Sequence, residues 1–80
     1  MINTDWNQQA MTERAAKIEN ACREAMKNGP GWRVAATDPY RVEEGHSLLI
    51  KTDIVVLPPG RTPEFHARLP YTIYGPWPVA

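Results

Sequence analysis

Reactive side chains are scarce in this sequence of 80 residues. It contains one cysteine (Cys22), one serine (Ser47) and two histidines (His46 and His66), which are far apart in the chain. Covalent catalysis needs a nucleophile beside a base, and a metal site needs three or four converging donors. Because these residues suggest neither arrangement, we predict a protein that is not an enzyme and that binds no cofactor and no metal ion.

Targeting signals and charge excess are missing as well. No apolar run is long enough to cross a bilayer, and residues 1–5 lack the basic and apolar regions of a signal peptide. We therefore expect a cytoplasmic protein. Nine Lys and Arg residues balance nine Asp and Glu residues, so the net charge is zero. Direct nucleic-acid binding normally needs a cationic face, and this balance counts against it.

The chain length predicts one small domain over residues 1–80. A domain of this size buries only about 60–65% of the surface that its unfolded chain exposes, so its stability is expected to be modest. A single cysteine allows no internal disulfide to compensate. Attachment to a larger partner or formation of a homodimer is the remaining common route to added stability.

The first third of the chain predicts one amphipathic helix over residues 4–28. Thr4 or Asp5 can cap its beginning, and Gly29 followed by Pro30 ends it. Small and apolar residues recur at helical spacing and predict the face that packs on the rest of the protein. These residues are Met11, Ala15, Ile18, Cys22 and Ala25.

Residues 32–74 alternate in the manner of antiparallel strands, and residues 75–80 predict an extended tail. The strongest predicted strand runs from His46 to Leu57. Its core face is expected to carry Leu48, Ile50, Ile54 and Val56, and its outer face Leu49, Val55 and Leu57. The predicted fold is α+β, with one long N-terminal helix packed on an antiparallel sheet of three to five strands.

One segment carries a resemblance to a known family. Residues 52–60, which read Thr-Asp-Ile-Val-Val-Leu-Pro-Pro-Gly, together with Arg68, resemble a strand and turn of the trimeric dUTP-hydrolysing and dCTP-deaminating β-fold family. Asp53 stands where that family has glycine, and Leu69-Pro70 follows Arg68 where it has Ser-Gly. The resemblance implies an alternative function, an oligomeric nucleotide-binding subunit.

The outer face of the predicted sheet is our candidate for a partner-binding surface. One helix covers only one face of a sheet, and the other face mixes apolar groups with positive charge, which is typical of interaction sites. Tyrosine and tryptophan between prolines would lie at its margin, although Trp77 could instead fold back on the core. The predicted residues are Arg33, Lys51, His66, Arg68, Tyr71, Tyr74 and Trp77.

As one short domain with no targeting signal and no catalytic set, the chain resembles the small phage-encoded inhibitors of bacterial machinery. Anti-CRISPR proteins are the best-known group of these inhibitors. The resemblance is one of class, because those proteins share no motif. It implies a non-enzymatic interaction protein that sterically blocks a CRISPR effector or another host nucleoprotein. A nucleic-acid binder is a third hypothesis, and it requires five cations on one face: Arg33, Arg41, Lys51, Arg61 and Arg68.

Overall fold

The computed structural model describes residues 4–65 and 68–77, with side chains from Gln8 onward. Helix α1 spans Thr4–Asn28, and it ends at the Gly29-Pro30 stop as predicted. Five strands follow it, and the predicted α+β fold is confirmed. They are β1 (Arg33–Thr37), β2 (Tyr40–Glu44), β3 (Ser47–Lys51), β4 (Ile54–Leu57) and β5 (Tyr71–Tyr74).

The strands form two antiparallel sheets instead of one. The first sheet has the order β4–β1–β5, and the second is the hairpin of β2 and β3. The prediction of one continuous strand from His46 to Leu57 was therefore wrong, because the chain leaves one sheet and enters the other at Thr52 and Asp53. Thr37 fixes this corner: its N–H donates to the Asp53 carbonyl, and its Oγ1 accepts from the Asp53 N–H, both at 2.9 Å.

Strand β1 is the centre of the core and is buried on both faces. Val34, Ala35, Ala36 and Thr37 all have no exposed surface. Arg33, which shares a face with Ala35, contacts the loop after β4, so that loop covers this face. Helix α1 contacts β1 and β4, and we infer that it covers the opposite face, where Val34 and Ala36 lie.

Only part of the predicted helical stripe is buried. Ile18 and Ala25 are buried and Cys22 is half-buried, whereas Ala15 is exposed and Met11 keeps 47% of its surface. The reason is a difference in length. A helix of 25 residues extends roughly 37 Å, but strands of four or five residues extend only about 17 Å. The beginning of the helix therefore runs past the three-stranded sheet.

The separate hairpin explains why a predicted core residue is exposed. Leu48 was expected in the core, but 57% of its surface is exposed because β3 belongs to the hairpin.

The radius of gyration is 14.5 Å, against about 12 Å for a compact domain of this length, and the principal extents are 50 × 25 × 16 Å. The molecule is thus elongated.

Candidate partner-binding surface

A tight turn after β4 begins the candidate surface. The Arg61 N–H donates to the Pro58 carbonyl at 3.1 Å, with Pro59 and Gly60 between them. Gly60 has a φ of +81°, a left-handed value that favours glycine at the third position of a type II turn. Pro58-Pro59-Gly60 therefore forms a tight turn directly after β4.

Arg33 holds this turn against the sheet. Its Nη2 donates to the Pro58 carbonyl at 3.0 Å and also to the Arg61 carbonyl. The sequence placed Arg33 in the partner-binding surface, but its guanidinium is already engaged with two backbone oxygens. Its main contribution in this structure is to position residues 58–61.

A groove lies between β4 and the segment that follows it. Its volume is about 550 Å³, within the range of roughly 300–1,000 Å³ that is usual for ligand sites. Valine, leucine, proline and phenylalanine supply most of its lining, and Arg61 and Glu64 add one charge of each sign. The lining residues are Val55, Val56, Leu57, Pro58, Gly60, Arg61, Thr62, Pro63, Glu64 and Phe65.

An aromatic contact joins the groove to strand β5. The rings of Phe65 and Tyr71 are 5.5 Å apart between centroids and tilted by 54°, which is a favourable aromatic geometry. Tyr71 and Ile73 keep 48% and 37% of their surface exposed. They lie on the same sheet face, because they pair with Thr37 and Ala35 of β1. We call the combined surface of Val55, Leu57, Phe65, Tyr71 and Ile73 the groove face.

The other predicted residues are distributed around and away from the groove face. Arg68 is exposed and adopts a left-handed φ of 51°, three residues before Tyr71. Tyr74 is half-buried at the end of β5. Lys51 is exposed at the end of β3 and belongs to the hairpin. His66 lies outside the described residues.

Trp77 ends the described part of the chain and contacts the residue two positions before it. Its side chain is half-buried beside Gly75. A Cβ atom on Gly75 would lie only 2.8 Å from the Trp77 ring and 3.3 Å from the Trp32 carbonyl oxygen. Glycine at this position therefore allows the indole to pack closely against residue 75.

The five cations required by the nucleic-acid hypothesis do not share one face. Arg41 pairs with Ile50 and Lys51 pairs with Tyr40, so these two cations lie on opposite faces of the hairpin. Arg33 belongs to the other sheet, and its guanidinium donates a hydrogen bond to the turn after β4. The charge segregation that this hypothesis requires is absent from these positions.

Cys22 carries the one thiol of the chain and is half-buried in α1. Burial raises its pKa above the ordinary value of 9.0, so the neutral thiol is favoured over the nucleophilic thiolate.

His46 is exposed in the turn of the hairpin. Across residues 4–65 and 68–77, no three His, Cys, Asp or Glu side chains converge in a way that could hold a metal ion.

Sequence reasoning missed Ile73 and the groove. It placed Leu57 on the exposed outer face, whereas Leu57 is buried, and it did not single out Phe65, which is half-buried against Tyr71. The strand order explains both differences. The connection from β4 to β5 must cross β1, because β1 lies between them, and the crossing segment covers part of the outer face.

Searches of protein-family models, curated proteins and solved structures find no match to this chain. In the part of the chain that the structure describes, no helix combines the length and the apolar character needed to cross a membrane.

Proposed function

We propose that this protein is a non-enzymatic interaction module that binds an extended, largely apolar segment of a larger protein at the groove face. The observation that carries this proposal is the continuity of the surface. A groove of about 550 Å³ adjoins Phe65, and Phe65 contacts the exposed Tyr71. Ile73 extends the same face along β5.

The chemistry of the groove face suits a polypeptide ligand. Apolar side chains supply burial, and tyrosine combines a large contact area with a polar group at its tip. Strand β4 pairs only with β1 among the described residues, so its other edge offers backbone donors and acceptors to an added strand. Arg61 and Glu64 can pair with charges of either sign on the ligand.

The narrower hypothesis, a phage-encoded inhibitor of a CRISPR effector, stays a prediction. What supports it is the short sequence and the exposed apolar groups of the groove face. A plasmid-interference assay tests it directly: expression of the chain should restore plasmid uptake in a host with an active CRISPR system. If expression of the chain restores plasmid uptake against none of the CRISPR types that the host carries, the hypothesis is contradicted.

The main test is affinity capture with matched variants. Tyr71→Ser and Ile73→Ser remove the exposed apolar groups of β5, and Glu24→Ala changes an exposed helical residue as a control. We expect the parent and the control to retain the same partner from a lysate of the source cell. The two β5 variants should lose it while keeping their melting temperatures. Retention of the partner by both β5 variants would contradict the proposal.

The nucleotide-binding alternative is tested by thermal shift with dUTP and dCTP. In this structure the Asp53 carboxylate, which lies in the segment that resembles the nucleotide-processing family, accepts a hydrogen bond from Tyr40. We therefore expect no shift with either nucleotide. A saturable rise in melting temperature would favour the alternative.

A further inference from the structure

The hairpin of β2 and β3 is incompletely covered. Of its ten strand residues only Tyr40, Val42 and Ile50 are half-buried, and the rest are exposed. An isolated two-stranded hairpin is only marginally stable in water, and a further strand or a packed face is usually needed. Helix α1 contacts the hairpin through β3. Strand β2 pairs with β3 alone among the described residues, which leaves its outer edge unpaired.

The sequence of β2 is complementary to itself in the antiparallel direction. It reads Tyr40-Arg41-Val42-Glu43-Glu44. If two copies pair about a two-fold axis at Val42, each Arg41 lies opposite Glu43 of the second copy. Opposite charges at directly paired positions stabilise a sheet, and like charges destabilise it. A two-fold contact forms this favourable pair twice.

Shifted registers lack this complementarity. A two-fold axis at Arg41 places two arginines opposite each other, and an axis at Glu43 places two glutamates there. The pattern of charge therefore selects the register centred on Val42. Within one chain Arg41 pairs with Ile50 and Glu43 pairs with Leu48, so neither charge has an oppositely charged cross-strand neighbour of its own.

We propose that this protein forms a homodimer by antiparallel pairing of β2 with β2 of a second copy, which joins the two hairpins into a four-stranded sheet. The dimer contact lies on the hairpin, whereas the groove face belongs to the three-stranded sheet. The proposal therefore does not depend on the proposed function. It also gives a small domain without disulfides a further source of stability.

Charge reversal tests this dimer by sedimentation velocity. The parent should sediment as a dimer of twice the 9.0 kDa chain mass. Arg41→Glu alone and Glu43→Arg alone each place like charges opposite one another, and each should weaken dimerisation by about tenfold or more. The double variant Arg41→Glu with Glu43→Arg restores opposite charges and should dimerise like the parent.

Mixing supplies an independent test. The two single variants complement each other, so an equimolar mixture should form more heterodimer than either variant alone forms homodimer. Native mass spectrometry distinguishes these species by mass. Glu24→Arg, an exposed helical charge reversal, is the matched control and should leave the dimer intact. A monomeric parent would overturn the proposal. A dimer that survives both single reversals, or a double variant that stays monomeric, would overturn it equally, because the contact would then lie elsewhere.

Discussion

The Tyr40 hydroxyl donates a 2.8 Å hydrogen bond to Asp53 Oδ2, and this bond joins the base of the hairpin to the corner where the chain enters β4. The backbone of Asp53 is held in turn by Thr37 of β1. Three residues from three parts of the chain therefore connect the two sheets. We infer that this contact sets the direction in which the hairpin leaves the three-stranded sheet.

The Tyr40 contact predicts a pH dependence at the alkaline end. The hydrogen bond to Asp53, with smaller effects of burial and of the negative charge of Asp53, raises the pKa of Tyr40 above its ordinary value of 10.0. Because the folded state holds the proton more tightly, the stabilisation is fully present below pH 10.0 and is lost as the pH rises through the folded-state pKa. Tyrosinate absorbance should show one late-titrating tyrosine, which disappears in Tyr40→Phe. A parent curve with no late component would contradict the assignment.

Thr37 is the buried centre of the connection between the sheets, so removal of its hydroxyl should destabilise the fold. Thr37→Val keeps the side-chain shape but leaves the Asp53 N–H without its acceptor. We expect a loss of about 1–3 kcal/mol in the free energy of unfolding. Thr37→Ser retains the hydroxyl and should lose less. Chemical denaturation measures both, and equal losses would show that the hydroxyl is not the cause.

Ile18 and Leu48 should respond very differently to truncation. Ile18 is buried between the helix and the sheet, so Ile18→Ala should cost about 2–4 kcal/mol, mainly through the cavity it leaves. Leu48 is mostly exposed, and Leu48→Ala should change the unfolding free energy by at most about 0.5 kcal/mol. Thermal melts compare the two. Similar shifts in melting temperature would contradict the division between core and hairpin.

Arg33 is expected to support both the conformation of the groove and the stability of the fold. Arg33→Met keeps much of the side-chain volume but removes the donors to the Pro58 and Arg61 carbonyls. We expect a loss of about 1 kcal/mol and faster hydrogen exchange at residues 58–65. Arg68→Met, at an exposed position, is the control and should change neither. Exchange rates at residues 58–65 that match the parent would contradict the role of Arg33 in holding the turn.

Local patterns predicted the elements of this fold well. The end of the helix followed from the Gly29-Pro30 stop, and the turn at Pro58–Gly60 agrees with the torsion preferences of proline and glycine. These features depend on residues that are close in the sequence. For the same reason the helical stripe correctly included Ile18 and Ala25.

Strand partnership could not be predicted in this way. The alternation from His46 to Leu57 is continuous, and only the distant Thr37 shows why the chain changes sheets at Asp53. The insertion of β1 between β4 and β5 likewise depends on contacts far apart in the sequence. The groove is a consequence of that order, because the connection from β4 to β5 has to cross β1. Hence Tyr71 was identified from its residue type, while its neighbour Phe65 was not.

Site-specific photocrosslinking in the source cell tests the central claim, that the groove face binds another protein. A benzophenone amino acid at position 73 lies on the groove face, and the same amino acid at position 24 lies on the exposed side of the helix. We predict that irradiation yields a covalent adduct with one defined protein from position 73 and none from position 24. The absence of an adduct from position 73, or the same adducts from both positions, would contradict the account.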